Sequence, residues 1–358
     1  MRKSQNSVKQ AALANLAREV VLPFLAVKFR SGSLCPIAAA DVSTFAISDG
    51  GQLHGFGGID VAPVVAAAAG QCEVPPDLGP VVAVAAGACH TCAVKVTGEL
   101  VCFGKNFYRQ CDVPPDLGPV VAVAAGGRHT CAVKASGELV CFGWNSDGRC
   151  DVPPDLGPVV AVAAGLAHIC TVTVSGELVC FGSNRQGQCD VPPDLGLVVV
   201  VAAGEKHTCA VKASGELVCF GWNRQGQCNV PPDLGPVVAV AAGDQHTCAV
   251  KVSGELVCFG RNDHGQCDVP PDLGPVVAVA AGWQHTCAVT VSGQLVCFGE
   301  NGKGLYGVPS DFQVQFALPP TRGIPVPNPE EGLEVVQRVN HLEPAADIAE
   351  EEGTAIVA

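Results

Sequence analysis

Six histidines, His90, His129, His168, His207, His246 and His285, recur every 39 residues. Each is followed two residues later by a cysteine and ten residues after that by another. The resulting pairs are Cys92/Cys102, Cys131/Cys141, Cys170/Cys180, Cys209/Cys219, Cys248/Cys258 and Cys287/Cys297. Imidazole and thiolate both ligate zinc, so His-x-Cys with a further Cys is a conceivable metal set. It is incomplete, because the chain has no C-x-x-C and each unit offers no fourth ligand. No metal is expected. Paired cysteines are otherwise disulfides or buried thiols acting as small apolar filler. Arg18 and Glu19 interrupt the apolar stretch that a secretory signal would need. The sequence therefore favours free thiols and a cytoplasmic location, with nuclear or organellar placement as alternatives. Disulfides come second and zinc last. Neither a phosphate-binding G-x-x-x-x-G-K-[ST] loop nor a G-x-S-x-G nucleophile elbow is present. The expectation is no enzyme and no cofactor. A histidine repeated sixfold is read as a structural bridge between units, holding backbone groups.

The elements around these residues repeat as well. The unit reads V-V-A-V-A-A-G-x-x-H-T-C-A-V-K-x-S-G-E-L-V-C-F-G-x-N-x-x-G-Q-C-D-V-P-P-D-L-G-P. A Val-rich period of this length, punctuated by Gly and Pro, signals stacked or closed repeats. In the copy starting at Val81, residues 81–86 form a strand of small residues suited to the crowded centre of a propeller. Residues 92–95 and 99–103 are two more strands, joined by Val96-Thr97-Gly98 in a hairpin with a glycine bulge. That register sets Lys95 opposite Glu99, Val94 opposite Leu100 and Cys92 opposite Cys102. The Pro-Pro-Asp-Leu-Gly-Pro segment allows at most a short fourth strand. A degenerate seventh copy lies at Thr44–Gly57, with Ile37–Ala39 in the inner-strand position. Phe312–Leu318 falls in the register of one more inner strand, which suggests a ring closed by both termini.

The expected fold is an all-β, seven-bladed β-propeller of three- to four-stranded blades over residues 31–318. A basic segment at 1–30, with Leu13, Leu16, Ala17, Val20 and Phe24 on one side, is expected to be a short helix. Residues 319–358 form an acidic, Pro-rich and mostly irregular tail. They carry eight acidic and two basic residues, whereas 1–30 carry six basic and one acidic. Net charge is −13, which argues against a nucleic-acid partner. No apolar run approaches the 18 or so residues of a membrane span. A monomeric ring with a protein partner is expected.

G-x-x-H-T-x-A followed by S-G-E-L-V-x-F-G-x-N-x-x-G-Q resembles the repeat of the regulator of chromosome condensation family. The resemblance covers residues 35 to about 312 and implies a seven-bladed propeller that binds proteins. Family members include an exchange factor for a small nuclear GTPase, accessory domains of ubiquitin ligases, a plant ultraviolet-B receptor and a β-lactamase inhibitor. Here the unit is short, Phe103 and its equivalents stand where many members carry Trp, and nothing resembles the exchange factor's protruding wedge. Of the photoreceptor's G-W-R-H-T cluster only Gly282-Trp283-Gln284-His285-Thr286 remains.

Function is sought where otherwise near-identical units differ. Two places vary: the pair of residues before each His, and the loop after each Phe-Gly. An up-down-up trace puts both on one rim. Arg128, Trp144, Arg185, Lys206, Trp222, Arg224, Arg261, His264 and Trp283 lie there and are the candidate protein-binding residues. Neutral drift in tolerant loops is the competing reading. The function expected is a protein-interaction propeller. The alternative is a regulatory subunit, either a guanine-nucleotide exchange factor or a ubiquitin-ligase substrate adaptor.

Overall fold

The computed structural model describes residues 36–41, 43–57, 72–300, 307–309 and 311–314. The helix expected within 1–30, the insertion after Gly57 and the acidic tail lie outside the described residues. The first blade consists of β1 (Ile37–Ala39), β2 (Ser43–Ile47) and β3 (Leu53–Gly57). The second consists of β4 (Val81–Ala86), β5 (His90–Lys95) and β6 (Leu100–Gly104). The same antiparallel sheet of three strands recurs within 120–143, 159–182, 198–221, 237–260 and 276–299. Seven sheets result, in an all-β architecture. No fourth strand forms in any of them among the described residues, because Pro-Pro-Asp-Leu-Gly-Pro lacks the N–H donors a ladder needs.

Each hairpin has the register expected from its turn. Val94 faces Leu100, Cys92 faces Cys102, and the Lys95 ammonium lies 3.1 Å from the Glu99 carboxylate. Gly98 closes the turn at φ 86°, a conformation costly for any residue with a Cβ. The inner strand carries a bulge between Val81 and Ala83, which adds twist where the strands converge.

The core lies between blades. Ala83, Cys92, Val94 and Leu100 of the second blade pack against Leu117, Val120, Val123 and Ala132 leading into and forming the third. Leu117, nearly fully buried, comes from the proline-rich connection and contributes on the order of 2 kcal/mol. The last interface repeats the first: Ile37 and Ala46 pack with Ala278, Ala280, Cys287 and Val289. Gln313 and Val314 complete the closure. Val314 pairs with Ser48 of the first blade, its N–H donates to the Gly293 carbonyl of the seventh at 3.0 Å, and Gln313 pairs with Gln294. Val314 thus stands where Val120 stands in a regular blade, whose N–H donates to Gly98. The expected two-terminus closure is realised at these two residues, while residues 315–318 of the expected strand lie outside the described residues. Phe312 meets His54 and Phe56 edge-on, with ring centroids 5.0 and 5.3 Å apart.

The repeated histidines clasp neighbouring blades. His90 Nε2 lies 2.9 Å from Thr130 Oγ1, and His168–Thr208, His207–Thr247, His246–Thr286 and His285–Thr44 repeat this at 3.0–3.1 Å. The Thr130 hydroxyl donates to the Gln110 carbonyl at 2.8 Å, so its oxygen accepts from the imidazole N–H. The partner is therefore a side chain of the next blade, in place of the backbone groups expected, because only the hydroxyl can accept and donate at that point. His129 is the exception. The corresponding threonine is Ile169, and both His129 ring nitrogens lack a partner. Burial pushes the imidazoles of His129 and His168 down to about 3 and that of His285 to about 4. A Cβ at Gly87 would collide with the Gly126 carbonyl and the His90 ring, so the blades approach each other this closely only through glycine.

The cysteines correct one expectation. Cys170–Cys180 and Cys287–Cys297 are disulfides, with Cα atoms 4.1 Å apart. The free-thiol reading does not hold for these two blades. The facing register brings the Cβ atoms together as in a non-hydrogen-bonded cross-strand pair, leaving the sulfurs within bonding reach.

Candidate protein-binding rim

Hydrogen bonds place both variable segments on one rim. The residue after each Phe-Gly donates its N–H to the carbonyl just before each His: Lys105 to Cys89, Trp144 to Arg128, Trp222 to Lys206 and Arg261 to Gln245, at 2.8–2.9 Å. The loop is then fastened by asparagine. Asn145 Oδ1 accepts from the Cys150 N–H at 2.8 Å, and Asn106, Asn184, Asn223 and Asn262 repeat the contact. Between these fixed points lie the side chains that differ, among them the exposed Phe107 and Arg185 and the buried Arg149.

Three of the nine candidate residues converge. Trp144 stacks on Tyr108 of the preceding blade, with centroids 5.1 Å apart and planes 25° from parallel. The Arg128 guanidinium lies 4.8 Å from the Tyr108 ring and 4.7 Å from the Trp144 ring, and donates to the Tyr108 hydroxyl at 3.2 Å. Arg149 sits 4.7 Å from the Trp144 ring and donates to the Leu166 carbonyl at 3.1 Å. Its guanidinium also pairs with Asp147, whose other oxygen lies 3.7 Å from the exposed Arg185. Arg128, Trp144 and Arg185 thus belong to one sector spanning three blades. Beside it Phe107 is 82% exposed and Leu166 is exposed too.

The remaining candidates stand apart. Lys206 pairs with Glu205 and covers the Trp222 ring at 5.5 Å. Arg261 is held by Asp263 at 2.8 Å, Arg224 and Trp283 are exposed, and His264 is half-buried. Toward the axis the rim turns acidic. Asp41, Glu205 and Asp244 line the central mouth together with the Ala-Gly ends of the inner strands. Burial and the neighbouring Asp41 and Glu205 charges push Asp244 up to about 8; burial and Glu205 push Asp41 up to about 6.

Tyr108, Phe107 and Arg149 were not among the candidates, yet they build the sector. One signal was available. Arg109 stands where the other complete loops carry Gly148, Gly187, Gly226 and Gly265, and it keeps their left-handed backbone at φ 63°. It is the one non-glycine residue with positive φ among the described residues, in the loop that also displays Phe107 and Tyr108. Among the described residues no three His, Cys, Asp or Glu side chains gather as a metal site.

The comparisons with known proteins agree with this architecture. The Regulator of chromosome condensation (RCC1) repeat matches residues 81–110, 120–149, 159–188, 198–227, 237–266 and 276–305. No curated protein sequence matches the chain. Among solved structures, the ectodomain of the Physcomitrella patens receptor kinase CR4 is similar at TM-score 0.63 and 22% identity, covering 75% of this chain and 74% of that one. The CRINKLY WD40 ectodomain of Arabidopsis thaliana ACR4 gives 0.62 and 20%, covering 79% and 100%. Prp20p from Saccharomyces cerevisiae, described with its binding to Gsp1p and histones, gives 0.59 and 19%, covering 78% and 86%. At these identities the likeness is one of fold. With six repeats matched across half its length, this chain belongs to the regulator of chromosome condensation repeat family.

Proposed function

We propose that the chain is a non-enzymatic interaction propeller that binds a protein partner through the rim of variable loops, centred on Phe107, Tyr108, Arg109, Arg128 and Trp144. One observation carries the reading. In one sector of the variable rim, the exposed rings of Phe107 and Tyr108, guanidinium groups stacked on Tyr108 and Trp144, and a left-handed arginine coincide. Aromatic and arginine side chains are also the types that dominate the centres of protein interfaces. Arg109, Arg128 and Arg185 suit an acidic partner surface, and Phe107 supplies an apolar anchor. Binding of Gsp1p and histones by the yeast relative supports a protein partner in kind.

A photo-crosslinker placed at Phe107 should capture a partner that the same group at Thr97, on the hairpin turn of the opposite rim, does not. Tyr108→Ala with Trp144→Ala should abolish that capture while the thermal transition moves little. Equal capture from both rims, or unfolding of the double variant, would remove the sector from consideration. A nucleotide-release assay with small GTPases separates the exchange-factor alternative, since a pure interaction module gives no acceleration.

A further inference from the structure

Four more hairpins carry a facing cysteine pair. Cys92/Cys102 and Cys248/Cys258 hold their sulfurs 2.7 Å apart, and Cys131/Cys141 and Cys209/Cys219 hold theirs 2.9 Å apart. Unbonded atoms of this size rest at about 3.5 Å or more, so none of these spacings suits two thiols merely packed together. The register is the same in all six blades, with each inner cysteine directly opposite its partner. Two of the six are already bonded.

A third set behaves differently. Cys111, Cys150, Cys189, Cys228 and Cys267 each direct the sulfur at the backbone carbonyl six residues earlier, at 3.3–3.9 Å. That contact uses the thiol hydrogen as a donor and is lost on oxidation. The chain thus separates its cysteines by geometry into facing pairs and single donors.

We propose that every one of the six cross-strand pairs is a disulfide site, so that the mature ring carries one bridge per blade and eight free thiols. Closure runs by thiol–disulfide exchange with a small disulfide such as glutathione disulfide. One cysteine of each pair attacks as thiolate and releases one glutathione thiol. The thiolate of the other then displaces the second, so two protein thiols become one disulfide and one glutathione disulfide becomes two thiols. In each blade the bridge pins the outer strand three residues before the variable loop begins. It also points to an oxidising compartment in place of the cytoplasmic one expected from free thiols.

The test is a thiol count on the full-length chain, folded with a glutathione redox pair and alkylated with N-ethylmaleimide in denaturant without reduction. Eight adducts are expected, with proteolytic fragments linking Cys92 to Cys102, Cys131 to Cys141, Cys209 to Cys219 and Cys248 to Cys258. Cys219→Ser should give nine, the added one on Cys209. Sixteen adducts with only two bridges, 20 adducts, or any bridge to Cys111, Cys150, Cys189, Cys228 or Cys267 would overturn the assignment.

Discussion

The His285 imidazole is hydrogen-bonded to the Thr44 hydroxyl, Nε2 to Oγ1 at 3.0 Å, across 241 residues of chain. Four other interfaces carry the same clasp between adjacent repeats, but this one joins the last complete copy to the degenerate first. Both groups are fully buried. Losing either leaves a polar atom unpaired in a dry interface.

Thr44→Val should therefore destabilise the ring by about 1–3 kcal/mol, the cost of a buried donor without its acceptor. Thr247→Val should cost a similar amount by stranding His207. The measurement is chemical denaturation, with a double-mutant cycle on His207 and Thr247. A coupling near zero would mean that the histidines serve by shape alone.

Closure gives a second expectation. Val314→Pro removes the N–H that reaches Gly293 and should cost about 1–3 kcal/mol. Truncation before Phe312 should cost more, because it also strips the ring contacts to His54 and Phe56. A truncated chain with an unchanged melting temperature would contradict the closure.

Arg109→Gly should stabilise the protein by about 1 kcal/mol, since the loop asks for a left-handed backbone that arginine adopts at a cost. The same change should weaken partner capture at Phe107 if the strained loop is the contact. A drop in melting temperature would show that the arginine side chain makes up for its backbone.

Two sets of groups bend the pH profile in opposite directions. His129, His168 and His285 have folded values of about 3 to 4, below the ordinary 6.5. The unfolded chain binds those protons first, so stability falls as pH drops from about 6.5 through the folded values. Asp244 and Asp41 sit at about 8 and about 6, above the ordinary 3.8. Their contribution is present below about 4 and is lost as pH rises through those values. Asp244→Asn should leave the melting temperature near pH 3 almost unchanged and raise it progressively from about pH 4 to about pH 8. A difference that stays constant with pH would rule out this origin.

The period of 39, the Gly-Glu turns and the facing cysteines are local patterns. They were enough to determine seven blades, the hairpin registers and the rim on which variation falls, because strand pairing within a hairpin is fixed by turn length and side-chain alternation. Even closure was legible, through the register of Phe312–Leu318. What the sequence left undecided lies between blades. No repeat pattern states that a histidine bonds the next blade's threonine, that Ile169 breaks one clasp, or that Tyr108 and Trp144 stack. Nor does it bring Asp41, Glu205 and Asp244 to one mouth. These contacts exist only because the closed ring curves neighbouring sheets to a common distance and angle. That geometry depends on all seven interfaces together and on no single unit.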